Sequence, residues 1–226
     1  MSLQALLTYL YVLLVTTSGC FYGAWRKKAS CEEYLPLTLF SIILMMYIGG
    51  IMRQLTLTAY LLMITAGLVS LGFLVWMICR DGISSLKRLV RPGMILYFVL
   101  FTFLAITQWK MISREPDEAS HWMDVIRAMK QTNTFGLVPE ARCYFGNYPP
   151  AFSLLEYFAI AIGNLLTGQF MDPLAFLVFQ LLSFSLYMPA MAQIKHSKGG
   201  GRTSFPCLHS LRSHCSMTRC SSTVCP

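Results

Sequence analysis

Apolar residues form long blocks along this chain, and short polar segments separate them. The blocks run for roughly 16 to 24 residues, the length that an α-helix needs to cross a bilayer. The pattern predicts six membrane helices, over residues 3–25, 35–52, 56–79, 93–110, 151–168 and 174–193. The sequence therefore predicts an all-α polytopic membrane protein with one long polar loop, residues 111–150.

Composition agrees with this interpretation. Hydrophobic residues make up 55% of the chain and charged residues 12%, whereas soluble proteins carry about a quarter charged residues. The net charge of +8 is unevenly distributed, because residues 195–226 contain five Lys/Arg and no acidic residue. The membrane part, residues 1–194, is only mildly basic. We therefore expect the lipid bilayer as a partner and no nucleic acid.

The positions of Lys and Arg predict the orientation. Basic residues are concentrated in the 26–34 and 80–92 loops, which share one side if the helices alternate. Cytoplasmic loops carry the excess of Lys and Arg, so this side is expected to be cytoplasmic. The N-terminus, the 53–54 turn and the 111–150 loop then face outward. We expect a multi-pass protein of the cell membrane.

The long loop contains a segment with helical spacing, residues 116–131. Pro116 suits the first turn of a helix, and Asp117 and Glu118 follow where the helix dipole favours negative charge. An apolar face would carry Trp122, Ile126 and Met129. The spacing predicts an amphipathic helix lying along the membrane surface.

Polar residues of this helix suggest chemistry. A carboxylate such as Asp117 at a helix start can act as a general base, and His121, one turn later, can orient an acceptor or bind a phosphate. Arg127 and Lys130 can neutralise a phosphate leaving group. Asp117, His121 and Asp124 also have usable spacing for a divalent cation, although no metal ligand set is assigned. An N-terminal cap with a solvated face is the alternative interpretation.

Two further features lie near the start of the fifth predicted helix. Asn147 and Tyr148 precede Pro149 and Pro150, and the prolines fix where the helix begins. The two polar residues are candidates for substrate binding, although an aromatic belt at the interface would have the same composition. Glu156 lies inside the helix itself. It is either a functional group or a side chain that snorkels to the interface.

The two loop clusters, Pro116–Trp122 and Asn147–Pro150, resemble motifs of the GT-C membrane glycosyltransferases, such as the protein O-mannosyltransferases and aminoarabinose transferases. The first is similar to the acidic motif of the first large extracytoplasmic loop, and the second to a Tyr-Pro-Pro segment that often follows it. The resemblance implies transfer of a sugar from a polyprenyl-phosphate donor to an acceptor hydroxyl at the outer membrane face. It implies Asp117 as the base and Glu118 as its alternate. Some members use a divalent metal, and no cofactor is otherwise implied.

The chain departs from the family pattern in two respects. The motif loop follows the fourth helix rather than the first, and only two apolar segments follow it. We therefore expect residues 1–194 to be the N-terminal part of such an enzyme, inactive alone. A transporter fragment or an assembly component is the alternative.

Residues 195–226 change abruptly in composition. They are rich in Ser, Cys, His and Arg, and their Cys and His spacing fits no common zinc pattern. We expect this tail to be disordered and non-native, as a sequence translated in the wrong frame would be.

Overall fold

The computed structural model describes residues 2–26, 31–113, 122–136, 138–141, 143 and 150–197, and these residues contain helices and no strands. The α-helices are α1 Leu3–Thr16, α2 Ser18–Arg26, α3 Cys31–Ile51, α4 Leu55–Asp81, α5 Pro92–Gln108, α6 Asp124–Thr132, α7 Ala151–Thr167, α8 Asp172–Ser185 and α9 Met188–Ser197. Short 3-10 helices cover Ile83–Arg88 and Pro139–Ala141. The prediction of an all-helical chain is confirmed.

Helices α3 and α4 are each long and apolar enough to cross a membrane, and α1 with α2 can form a third span. Helices α5, α7 and α8 are apolar but shorter. Length and composition thus support two or three candidate spans. The chain also divides into two units, Met1–Ala192 and Gln193–Pro226.

The first predicted helix is bent rather than continuous. Its two halves, α1 and α2, differ in direction by 44°. At the bend, the hydroxyl of Thr16 donates to the carbonyl of Val12 at 2.8 Å, and that of Thr17 to the carbonyl of Leu13 at 2.7 Å. Such bonds to the preceding turn bend helices, so the two threonines account for the break.

The last predicted helix, residues 174–193, is likewise interrupted, and α8 and α9 replace it. The break lies at Leu186 and Tyr187, so that Pro189 falls in the first turn of α9, where its missing N–H is tolerated, and not in a helix interior. The hydrophobic pattern predicted helix over this segment but did not predict this interruption.

Helix α7 occupies the centre of the first unit. It packs against α1, α3, α4, α6 and α8, and every residue from Ser153 to Gly163 is buried. A helix that is apolar all round is a buried helix. The hydrophobicity that predicted a fifth span therefore reflects contact with other helices as well.

The α7–α8 turn lies at the same end of the helix bundle as the α3–α4 turn. Asp172, which directly follows the α7–α8 turn, accepts a hydrogen bond from the backbone N–H of Ser113, just after α5, at 3.2 Å. Gln108 and Gln180 form a second link between α5 and α8, at 2.9 Å. Strict alternation of six helices would have put this turn at the opposite end. That part of the predicted topology is wrong, because α7 and α8 pack as a hairpin against α6 and α5.

A buried hydrogen bond fixes the opposite end of the bundle. Glu32, in the first turn of α3, accepts a hydrogen bond from the backbone N–H of Gly93 at 2.8 Å. Only 3% of Glu32 is exposed. A carboxylate at a helix N-terminus stabilises it through the unpaired N–H groups there, so Glu32 joins the start of α3 to the start of α5.

Candidate functional site

Most of the predicted site residues lie outside the described residues. These are Asp117, Glu118, His121, Asn147 and Tyr148. Arg127 and Lys130 are described, and both are exposed on α6. The structural description of the site therefore starts from α6 and the helices beneath it.

Helix α6 is amphipathic and covers only the second part of the predicted segment 116–131, of which residues 116–121 lie outside the described residues. Its buried face carries Val125, Ile126, Ala128 and Met129. Ile126 and Met129 are completely buried, whereas Trp122, predicted for the same face, is 40% exposed. The apolar face packs on α7 and α4, which leaves Arg127 and Lys130 on the outward side.

The end of α6 is attached to the α3–α4 turn by Asn133. This residue has a left-handed backbone (φ 56°) that terminates the helix. Its side-chain oxygen accepts from the backbone N–H of Thr56 at 2.8 Å, and its amide group donates to the carbonyl of Arg53 at 3.0 Å. Its own carbonyl accepts from the N–H of Leu55 at 3.2 Å. One asparagine thus ends α6 and caps the start of α4.

Lys130 is held between α7 and the α7–α8 turn. Its Nζ donates to the side-chain oxygen of Asn164 at 3.0 Å, and it also lies 5.7 Å from the centre of the Phe170 ring. The guanidinium of Arg127 lies 5.7 Å from the centre of the same ring. Both cations therefore lie near one aromatic ring, at a range where cation–π attraction operates.

A cavity of about 150 Å³ lies beneath Lys130, between α4, α6 and α7. Thr56 and Tyr157 line it, and their hydroxyl oxygens are 2.8 Å apart. The remaining lining residues are Tyr60, Ile160, Ala161 and Asn164. The cavity is smaller than the roughly 300 Å³ at which pockets for drug-sized ligands begin. One ammonium, three hydroxyls and an amide suit a small anionic or hydroxyl-bearing group.

No acidic side chain lines this cavity among the described residues. The described part of the chain also contains no group of three His, Cys, Asp or Glu side chains able to hold a metal ion. Of the three residues spaced for a cation, Asp117 and His121 lie outside the described residues, and only Asp124 is described. A base or a metal ligand would have to come from elsewhere in the 111–150 loop.

Cys143 lies beside the start of α6, and its thiol is 4.0 Å from the carbonyl oxygen of Asp124. Burial raises the pKa of this thiol, and the carboxylate of Asp124 raises the pKa further. A thiol of this kind is a poor nucleophile near neutral pH. Cys143 therefore does not suit nucleophilic catalysis.

Glu156 is buried in α7, with 6% of the residue exposed. It lies on the same helix face as Phe152, which contacts Phe179 of α8, and as Gly163, which abuts Leu174 of α8. Its Oε2 atom has no hydrogen-bond partner within the described structure. The alternative in which Glu156 snorkels to the interface is wrong, because the side chain is enclosed between helices.

Several residues of this site were missed by sequence reasoning: Thr56, Asn133, Tyr157, Asn164 and Phe170. Asn133 could have been predicted as the end of α6, because asparagine often ends helices in the left-handed conformation. Asn164 and Tyr157 were polar positions within an apolar run. Nothing in the sequence indicated a role for Phe170, since only the packing of the α7–α8 turn brings it to α6.

Comparison with known proteins adds no relative to this description. No protein-family model, curated protein or solved structure matches the chain.

Proposed function

We propose that this chain is part of a membrane glycosyltransferase of the GT-C type, which transfers a sugar from a polyprenyl-phosphate donor to an acceptor hydroxyl. The observation that carries the proposal is the polar cavity beneath Lys130. It combines a cation with hydroxyl and amide groups next to apolar helices. A lipid-linked phosphate needs both environments, one for its head group and one for its chain.

The hydrogen-bond partner of the Lys130 ammonium supports a phosphate site. Within the described residues its hydrogen-bond partner is the neutral amide of Asn164, so no carboxylate neutralises the ammonium. Arg127 adds a second cation over the same ring of Phe170. Hydrogen bonds between Lys or Arg and phosphate are about twice as strong as those between neutral groups. The two cations would therefore bind the donor phosphate and stabilise its charge as it leaves.

The proposed reaction is an inverting substitution at the anomeric carbon. The acceptor oxygen forms a bond to that carbon while Asp117, or Glu118 in its place, takes the hydroxyl proton. The bond from the anomeric carbon to the phosphate oxygen breaks, and the phosphate leaves with the electron pair. His121 would orient the acceptor. Asn147 and Tyr148 would contact the substrate at the outer interface.

The proposed membrane arrangement uses all six apolar segments. The bent α1–α2 pair, α3, α4 and α5 would cross the membrane, and α7 with α8 would enter it as a hairpin. The basic residues near 26–28 and 80–91 favour a cytoplasmic location for those loops. The N-terminus and the 111–150 loop would then be extracytoplasmic, in the cell membrane.

Sugar transfer from a polyprenyl-phosphate-linked donor tests the proposal directly. Since residues 1–194 are expected to be inactive alone, the test uses the chain complemented by further C-terminal membrane helices. The complemented wild type is expected to transfer sugar, and Asp117→Asn to abolish transfer. Asp81→Asn is the matched control, because Asp81 lies at the far end of α4. Unchanged transfer in Asp117→Asn would remove this residue as the base, and absence of transfer by the complemented wild type would contradict the function.

Glu156 favours a second candidate, an ion-coupled transporter. Ionisable groups buried within membrane helices commonly bind ions or protons in transporters. Purified protein in sealed vesicles would then dissipate a proton or sodium gradient, and Glu156→Gln would abolish this flux. An equal flux in wild-type and empty vesicles would exclude the transporter.

A further inference from the structure

A second concave surface lies between α2 and α4, toward the other end of α4. It is a groove of about 400 Å³ lined by Trp25, Val69, Gly72, Phe73 and Trp76. Tyr60, which lines the cavity, and Val69, which lines the groove, are nine residues apart on α4, which corresponds to about 14 Å. The groove is therefore separate from the cavity beneath Lys130, and its function is independent of the one proposed above.

The walls of the groove are aromatic. The ring of Trp25 lies 5.5 Å from that of Phe73 and 5.9 Å from that of Trp76, so the three side chains form one cluster. Tyr22 extends the cluster, at 5.9 Å from Phe73. Tryptophan and tyrosine are enriched where a membrane protein meets the lipid head groups.

Gly72 forms the floor of the groove. A Cβ atom built on this residue would meet no other atom within 4 Å, so the groove exists because no side chain fills it. The neighbouring surface of α4 carries exposed Leu68, Leu71 and Val75. A groove one side chain deep in an apolar helix surface suits an extended hydrocarbon chain.

A positive charge closes one end of the groove. Arg80 follows Trp76 by one turn, and its guanidinium lies 4.9 Å from the centre of the Trp76 ring. Its side chain is 61% exposed, and its Nε atom lies 3.9 Å from Oδ1 of Asp81, a long distance for an ion pair. Exposed Lys87 and half-buried Arg91 follow along the chain. A chain-shaped apolar groove that ends at a guanidinium matches a lipid with an anionic head group.

We infer that the groove binds one acyl chain of an anionic phospholipid, whose phosphate head group contacts Arg80. The aromatic rings contact the part of the acyl chain nearest the head group, and Gly72 leaves space for the acyl chain. Attraction between a basic side chain and anionic lipid corresponds to about a fivefold preference for each Lys or Arg near the surface. The site is thus expected to prefer an anionic lipid over a zwitterionic one by about that factor.

Quenching of tryptophan fluorescence by brominated lipids tests this inference. The variant Trp109→Phe/Trp122→Phe retains Trp25 and Trp76 as the only tryptophans. This protein is reconstituted in phosphatidylcholine vesicles that contain increasing fractions of brominated phosphatidylglycerol or brominated phosphatidylcholine. We expect phosphatidylglycerol to reach half-maximal quenching at about one fifth of the fraction that phosphatidylcholine needs.

Three additional substitutions distinguish the contribution of the Arg80 charge to lipid binding from that of the shape of the groove. Arg80→Gln is expected to abolish the preference for phosphatidylglycerol while leaving quenching by both lipids. Gly72→Leu fills the groove and is expected to weaken quenching by both. Val75→Leu, on the same helix but outside the groove, is the matched control and is expected to change nothing.

Equal quenching by the two lipids in the parent variant would overturn the inference. So would quenching that Gly72→Leu leaves unchanged. An absence of quenching, as expected if a helix from a second copy covers the groove, would overturn it as well.

Discussion

The side-chain oxygen of Asn133 accepts a hydrogen bond from the backbone N–H of Thr56 at 2.8 Å, across 77 residues of sequence. This bond connects the end of the amphipathic helix α6 to the start of α4. It also fixes the position of Lys130, one turn before Asn133, above the cavity that Thr56 helps to line. The geometry of the candidate site therefore depends on a helix cap.

Replacing Asn133 should destabilise the protein. Asn133→Ala removes the cap of α4 and puts alanine at a left-handed backbone position, so we expect a loss of about 1–2 kcal/mol in the free energy of unfolding. Asn133→Gly keeps the backbone conformation and should show the cost of the lost side chain alone. Denaturation by sodium dodecyl sulfate, followed by circular dichroism, measures both.

Gln54→Ala provides the control for Asn133, because Gln54 precedes α4 directly and makes no side-chain capping bond. It should change stability by only a few tenths of a kcal/mol, since exposed positions away from caps tolerate substitution. Equal stability of Asn133→Ala and Gln54→Ala would contradict the capping role.

Glu32 should stabilise the opposite end of the bundle. Glu32→Ala leaves the N–H of Gly93 buried without its acceptor, and we expect a cost of about 2 kcal/mol. Glu32→Gln retains an acceptor but loses the charge, so its cost should be smaller. The same denaturation experiment measures both variants against Glu33→Gln, at the exposed neighbouring position. A neutral Glu32→Ala would show that this bond contributes nothing.

Asp124 should slow the alkylation of Cys143. The thiolate is the reactive form, and burial together with the carboxylate of Asp124 raises the pKa of Cys143. Asp124→Asn should lower that pKa and thus increase the rate of reaction with iodoacetamide near neutral pH. The difference in alkylation rate between the wild type and Asp124→Asn should vanish once the pH exceeds the pKa of Cys143 in both proteins. Peptide mapping of the labelled Cys143 measures the rate, and identical rates at neutral pH would refute the electrostatic coupling.

The two turns beside α6 should be accessible from the same side of the membrane. In a background without native cysteines, Gln54→Cys and Gln169→Cys should both react with a membrane-impermeant maleimide added to intact cells. Ser84→Cys, at the other end of α4, should react only after permeabilisation. Labelling of Gln169→Cys only after permeabilisation would restore strict alternation of the helices and contradict the α7–α8 hairpin.

The hydrophobic pattern predicted where helices occur because apolar runs reflect burial, either in lipid or among other helices. For the same reason it could not identify α7 as a helix enclosed by its neighbours, since both environments select the same residues. The bend at Thr16 and Thr17 was also invisible to it. That bend depends on side-chain hydroxyls bonding to the backbone, which hydropathy does not measure.

The candidate site was predictable only in part. Helical spacing predicted an apolar face with Ile126 and Met129, and both are buried. Arg127 and Lys130 lie exposed on the other side of α6. The spacing gave no indication that Asn164 and Phe170 would meet Lys130, because those contacts depend on how the α7–α8 hairpin packs. The prediction for Asp117 remains a prediction, since that residue lies outside the described part of the chain.

Binding of polyprenyl phosphate to the purified chain tests the central claim most directly. Lys130→Gln should weaken binding by about tenfold, since the lost interaction is a charged hydrogen bond to phosphate. The control is Lys110→Gln, which removes the same charge from the end of α5, where Lys110 lies 4.6 Å from the Trp109 ring. We expect Lys110→Gln to bind like the wild type. Equal affinities for the two variants would contradict the assignment of the cavity beneath Lys130 as the phosphate site.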